Sequence, residues 1–404
     1  MKYLVIVGDG MADYPFEKFG NVTALEFAHT PNFDRLAAEG ELGLVRTVPV
    51  GMPPGSDTAN LSVIGYNPAD YYTGRSPFEA ASLGIALGPD DVSFRCNLVT
   101  LSDDEPYAEK RMVDYAAGEI HTEEAAEIIS AVGSVLAKGP ISFYPGFRYR
   151  HIITWSGAPD DWNLTPPHDI SGKVIKPHLP QGSESALLLE MMEKSYAILK
   201  DHPVNLRRIG KGLKPANAIW IWGNGRKPLL PTFQEKYGLT GAVISAVDLI
   251  KGLGLIAGLE SIDVPGATGD IDTNYEGKVE ATLETFNRGG DFVYLHIEAP
   301  DECSHRFEAD NKVKAIELID EKVVKVLREK LEQSGEDFSI LLVTDHATPL
   351  SLGTHTSEPV PYTIYRSNKK ADFPGQRYNE ASASQTGLLI DEGYKMMDRF
   401  LGRI

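Results

Sequence analysis

The sequence predicts an α/β fold, with a mostly parallel sheet sandwiched by helices and a smaller inserted α/β domain. Three observations predict it. Apolar runs of strand length alternate with helix-length amphipathic segments, the order that lays helices on the faces of a sheet. Metal-ligand side chains follow several of those runs, at the carboxyl edge where open α/β sheets build their ligand sites. The stretch from about residue 93 to 212 has a different texture and carries none of those side chains.

Residues 3–8 (YLVIVG) read as a buried strand that leads straight into Asp9. TPNFDRLAAEG follows as a helix, with Thr30 as N-cap, Pro31 in the first helical position and Gly40 past the end. LGLVRTV (42–48) is a second strand. In PPGSDTAN the Pro-Pro-Gly run breaks structure and a helix begins about Ser56. The middle holds amphipathic helices at 122–137 and about 184–200, an aromatic strand-like stretch (ISFYPGFRYRHIITW) and the polar loop TPPHDISGK. AIWIWG (218–223), FVYLHI (292–297), SILLVT (339–344) and YTIYR (362–366) are further strands. Between two of them Val313, Ile316, Ile319, Val323, Leu327 and Leu331 recur every three or four residues, one face of a helix that Gly335 ends. The expected division is a discontinuous domain of residues 1–92 and 213–404, with 93–212 inserted and hinges near 92 and 212.

The totals set limits. A chain of 404 residues is long enough for two domains. No apolar run approaches the ~18 residues of a membrane span, and the first is too short for a signal peptide. Two cysteines make no disulfide framework, so a cytoplasmic protein is expected. The net charge of −18, from 39 Lys plus Arg against 57 Asp plus Glu, repels nucleic acid and anionic membranes. Phosphate chemistry here needs a locally positive site. Bound cations and a few arginines would supply it. A homo-oligomer is compatible with the sequence.

The candidate ligands are Asp9, Asp301, His305, Asp345, His346 and His355, joined by the hydroxyl of Ser56. Asp301 and His305 are four apart, so one helical face can present both to a single ion. Asp345 and His346 are adjacent at a strand end, where a turning loop can aim both at one place. Imidazole and carboxylate donors suit manganese, zinc, cobalt or iron without singling out one. Ser56 at a helix start would face an incoming phosphoryl group with free N–H donors and the helix dipole. A serine hydroxyl is a poor nucleophile at neutral pH and no His or Lys adjoins it in sequence, so a metal must activate it.

Taken together, GDGMAD, PPGSDTANLSVIGY, GRSPFEAAS, EAPDECSH, TDHATP and GTHTSEPVP resemble the archaeal-type cofactor-independent phosphoglycerate mutases of the alkaline-phosphatase superfamily. The resemblance runs from Met1 to near the C-terminus, in the family's order, and implies an alkaline-phosphatase-like fold with two divalent ions. Manganese leads, with zinc, cobalt or magnesium as the other choices. By this resemblance Asp301, His305 and His355 hold one ion; Asp9, Asp345, His346 and the nucleophile Ser56 hold the other. Ser56 takes the phosphoryl group from 3-phosphoglycerate and returns it to the 2-hydroxyl of the retained glycerate. The insertion then acts as a substrate clamp that excludes water.

Arginine is the natural fork for the substrate's carboxylate. The insertion offers Arg148 and Arg150 beside His151, read as one face of a strand, and the pair His168 and Asp169. Arg150 and Asp169 are expected to take part in catalysis, and either Asp169 or His168 can serve as general acid or base. Arg75, Arg226 and Lys278 are expected as further substrate contacts in the core. Two other readings use the same serine and metals: a homoserine-kinase-like phosphotransferase, for which no Walker-type loop is present, and a metal-dependent phosphatase.

Overall fold

The computed structural model describes residues 1–103 and 105–404. Its strands are β1 (Lys2–Gly8), β2 (Glu41–Val45), β3 (Asp91–Leu101), β4 (Met112–Asp114), β5 (Ile141–Tyr144), β6 (Arg150–Ser156) and β7 (Ala218–Arg226). After them come β8 (Gly241–Ile244), β9 (Glu260–Ile262), β10 (Phe292–Ile297), β11 (Phe338–Val343), β12 (Val360–Arg366) and β13 (Leu389–Ile390). Two compact units result: Met1–Tyr72 with Leu229–Ile404, and Thr73–Pro228.

The first unit is an eight-stranded sheet in the order β13-β2-β12-β11-β1-β10-β8-β9. β1 is central and parallel to both neighbours, and Val7 lies level with His296 on one side and Val343 on the other. Because the register is equal, the chain leaves β10, β1 and β11 along one edge. That edge therefore receives Asp9, Asp301 and Asp345. Both faces of these strands are covered, which is why they read as unbroken apolar runs: β10 and β11 are buried along their whole length. β12 runs antiparallel to both its neighbours, β11 and β2, while β13 is parallel to β2, so the sheet is mixed.

The helix expected after β1 is Pro31–Glu39, with Gly40 at its end. The Thr30 side chain makes no capping bond. Asp320 caps it instead, accepting from the Asn32 and Phe33 N–H groups at 2.9 and 2.7 Å. The helix carrying Asp320 includes a π-helical turn at Ile319–Val324 between Ala309–Leu318 and Lys325–Ser334. All six apolar positions read from its period are buried. No helix among the described residues is long and apolar enough to cross a membrane.

In the second unit β4-β3-β6-β5 form an antiparallel sheet, and β7 pairs with β3. Helices Thr122–Leu136 and Ser185–Leu199 pack on it and on each other. The expected edges at 92 and 212 fall inside this unit, a correction that follows from strand pairing. AIWIWG, assigned by sequence to the outer domain, is β7, and it pairs with Val92–Val99. Helix Ser76–Ser82 packs on β3 as well, which carries the edge back to Thr73. An apolar run shows that a segment is buried, and says nothing of which strand it joins.

Candidate active site

All seven predicted ligands lie in the first unit and converge. Asp9 follows β1 in a turn where Gly10 has φ of +62°. A Cβ at Gly10 would meet Asp301 Oδ1 at 2.6 Å and Thr348 Oγ1 at 2.7 Å, so the GDG turn needs glycine for conformation and for space. Asp301 and His305 sit at the two ends of one helical turn in Ala299–His305, with Oδ2 and Nε2 3.1 Å apart. His355 Nε2 approaches Asp301 Oδ1 at 3.5 Å and His305 Nε2 at 3.0 Å. Ser56 is the first residue of helix Ser56–Val63, whose N-cap is Gly55. Its Oγ lies 3.1 Å from His346 Nε2, a histidine neighbour that the linear sequence could not show. The same nitrogen lies 3.4 Å from Asp9 Oδ1 and from Asp345 Oδ2.

Hydrogen bonds on the far side of each ring fix which nitrogen faces inward. Thr348 Oγ1 donates to Asp301 Oδ1 at 2.5 Å, which leaves it to accept from His346 Nδ1–H at 3.2 Å. His305 Nδ1–H donates to the Gly353 carbonyl at 2.9 Å. Both histidines in their neutral form therefore present an Nε2 lone pair to the interior.

Without a cation this arrangement is poor electrostatics. Asp9, Asp301 and Asp345 are buried together, and Asp9 Oδ1 receives no hydrogen bond. Burial, followed by the charges of Asp345 and Asp301, pushes Asp9 well above the carboxylate range. Burial opposes charging of His305, yet the Asp301 carboxylate prevails and raises it to about 9. Two sets of donors could each surround one ion: Asp301, His346 and His355, and Asp9, Asp345 and His346, with the atoms of each set within 4.8 Å of one another. A lone-pair oxygen that finds no donor and imidazoles facing carboxylates fit divalent metal well. His346 lies within reach of both sets.

The second unit gathers the arginines differently from the sequence reading. Glu79 binds Arg75 Nε at 2.9 Å and Arg95 Nε at 2.8 Å, and Arg150 adds a third positive charge nearby. Burial raises Glu79, but the charges of Arg95 and Arg75 outweigh it and hold the carboxyl below its usual range. The Arg95 guanidinium stacks on Trp222 at 4.2 Å, and the His168 ring meets Trp222 at 5.4 Å. Arg150 Nη2 donates to Tyr149 Oη at 2.9 Å, and Tyr149 and His168 both pack on Tyr115. Asp169 sits 3.6 Å from His168. Three guanidiniums against one carboxylate make a positive patch inside an acidic protein. Arg95 carries no local signal in the sequence, where DVSFRCNLV is a strand-like run with a single charge in its interior.

Several predicted placements are corrected. Arg148 lies before β6 with φ of +51° and pairs with Glu119, so it does not share a strand face with Arg150. His151 is buried, its Nδ1 accepts from Gly146 N–H, and burial drives it down to about 3. Arg75 and Arg226, expected in the core, both belong to the second unit, where Arg226 binds Asp160 and the Ala158 carbonyl. Lys278 is buried and donates to the His296 carbonyl on β10 at 2.8 Å.

The fold and this cluster define a class: a phosphoryl-transfer enzyme whose serine stands among two sets of divalent-metal donors. Residues 37–205 match the family model of the 2,3-bisphosphoglycerate-independent phosphoglycerate mutases. The mutase of that name from Methanothrix thermoacetophila is 52% identical over 393 residues, covering 97% of each chain. The structure of the PH0037 protein of Pyrococcus horikoshii superposes with a TM-score of 0.81 at 28% identity, covering 100% of this chain and 98% of that one. The cofactor-independent phosphoglycerate mutase of Thermoplasma acidophilum gives 0.64 at 27% identity, over 99% of both. The chain belongs to the 2,3-bisphosphoglycerate-independent phosphoglycerate mutase family.

Proposed function

We propose that this protein interconverts 3-phosphoglycerate and 2-phosphoglycerate through a phosphoserine at Ser56, with two divalent ions, manganese first among them. The observation that carries the reading is the position of Ser56 Oγ, 3.1 Å from His346 Nε2 at the start of a helix. Bound among these donors, the ions would lower the pKa of the serine hydroxyl and neutralise phosphoryl oxygens. The chain does the rest. Asp301, His305 and His355 would hold one ion, and Asp9, Asp345 and His346 the other. The first turn of helix Ser56–Val63 turns its dipole toward the incoming phosphoryl group. Strand ends, two short helices and the loop holding His355 would position these groups before substrate arrives, leaving little reorganisation for the reaction itself.

Arg75, Arg95 and Arg150 are the groups proposed to take the substrate's carboxylate, with His168 and Asp169 serving the glycerate hydroxyls. Metal-replete protein should form 2-phosphoglycerate from 3-phosphoglycerate in a coupled assay without 2,3-bisphosphoglycerate or nucleotide. Absence of product there would sink the mutase reading. Ser56→Ala should abolish turnover while keeping most metal binding. Substantial residual activity would remove Ser56 from its role.

A further inference from the structure

Asn60 is fully buried one helical turn after Ser56, and every hydrogen-bonding position of its carboxamide nitrogen is filled. Its Nδ2 donates to the Ser56 carbonyl at 2.8 Å and to Asp345 Oδ2 at 2.8 Å. Both partners are acceptors only, so both amide hydrogens are spent and Oδ1 has to face the other way. There it accepts from Tyr294 Oη at 2.5 Å. Tyr294 is on β10 and equally buried. Asp345 Oδ1 is already held by the N–H groups of Gly10 at 3.2 Å and His346 at 3.0 Å. The carboxamide of Asn60 thus settles the orientation of the remaining oxygen, Oδ2, and ties it to the backbone of the serine.

We infer that Asn60, oriented by Tyr294, is a positioning residue that sets Ser56 and the Asp345 carboxylate relative to each other. The serine and the aspartate come from segments 289 residues apart, and one amide group joins them. Groups that orient metal ligands from behind commonly contribute about 10- to 100-fold to metal affinity or activity. A displacement of about 1 Å at a reacting atom costs about 100-fold in rate. Asn60 would touch neither substrate nor reacting atoms and would act only through Ser56 and Asp345.

The inference rests on Ser56 as nucleophile and Asp345 as ligand, and its test separates the two. Mn²⁺ binding to metal-free wild type, Asn60→Ala, Tyr294→Phe and the double variant is followed by the electron paramagnetic resonance of free Mn²⁺. Turnover is measured alongside. Asn60→Ala should weaken one Mn²⁺ equivalent by about 10- to 100-fold and lower kcat by a similar factor, with KM nearly unchanged. Tyr294→Phe keeps its shape and removes only the hydroxyl, whose hydrogen-bonded route to Asp345 runs through Asn60, so it should show a smaller loss of the same kind. The double variant should be no worse than Asn60→Ala, because the two residues act in series. Wild-type affinity and kcat in the folded variants would overturn the inference, and so would losses that simply add. If Asn60→Ala does not fold, Tyr294→Phe decides alone, and wild-type Mn²⁺ affinity there refutes it. Wild-type protein that binds no Mn²⁺ would instead remove the underlying reading of the site.

Discussion

Replacing Lys312 with methionine should destabilise the first unit and loosen the metal cluster together. Lys312 and Asp13 are a salt bridge with neither side chain exposed, Nζ to Oδ2 at 2.8 Å. Nζ also donates to the Thr348 and Ala12 carbonyls, at 3.0 and 3.4 Å. Asp13 Oδ1 accepts from the Leu350 and Tyr14 N–H groups at 3.0 and 2.7 Å. One ammonium group therefore pins the loop after β1 to the loop after β11. Methionine fills the volume but leaves a buried carboxylate without its counter-charge, a loss of about 3–5 kcal/mol. A unit of this size loses about 3 °C of Tm per kcal/mol, so the transition should fall by about 10–15 °C. Because Thr348 orients both His346 and Asp301, Mn²⁺ affinity should fall with it. Adding Asp13→Asn removes the stranded charge while keeping an acceptor for the two N–H groups, and should recover part of the loss. Calorimetry and urea titration measure this. A single-variant cost below about 1 kcal/mol would refute the claim that the pair is desolvated and anchoring.

Lys278 has a folded-state pKa of about 8 against 10.5 for an ordinary lysine, because burial disfavours its charge. The unfolded chain then binds more protons between pH 8 and 10.5, so stability rises with pH across that window, by at most about 3 kcal/mol. Lys278→Met should remove this rise, and parallel urea midpoints for both proteins at pH 8 and pH 10 would contradict it. Chelation should lower the Tm of the first unit, and Mn²⁺ at about 100 times its Kd should restore about 2.7 kcal/mol. A scan that EDTA leaves unmoved would argue against ions in this cluster. Arg150→Ala should impair 3-phosphoglycerate turnover more than hydrolysis of an aryl phosphate that lacks a carboxylate. Equal losses on both would dismiss Arg150 as a carboxylate fork.

The candidate metal cluster was legible because its geometry follows from local rules. A parallel sheet with level register brings out its strand ends along one edge, and Asp9, Asp301 and Asp345 each stand just past a strand end. The four-residue spacing of Asp301 and His305 puts both on one face once the segment is a helix, as it is here. The second unit was less legible, because substrate contacts there depend on which strands pair. Arg95 and Glu79 meet only because helix Ser76–Ser82 lies on β3. Arg148 looked like a partner of Arg150 until the backbone turned left-handed before β6.

Thus the sequence alone determined the α/β class, and it proposed the ligand set, the serine and an insertion. All of these are written in periodicity, strand ends and short motifs. Tertiary structure alone decided where the insertion begins and which arginines gather around Glu79. It also buried Lys278 and His151 in bonds to backbone groups, and set Asn60, Thr348 and Lys312 in the hydrogen-bond network around the candidate ligands. The reason is physical. Burial and pairing are properties of residues far apart in the chain, and a polar side chain carries no local mark of whether it faces solvent, substrate or a distant carbonyl.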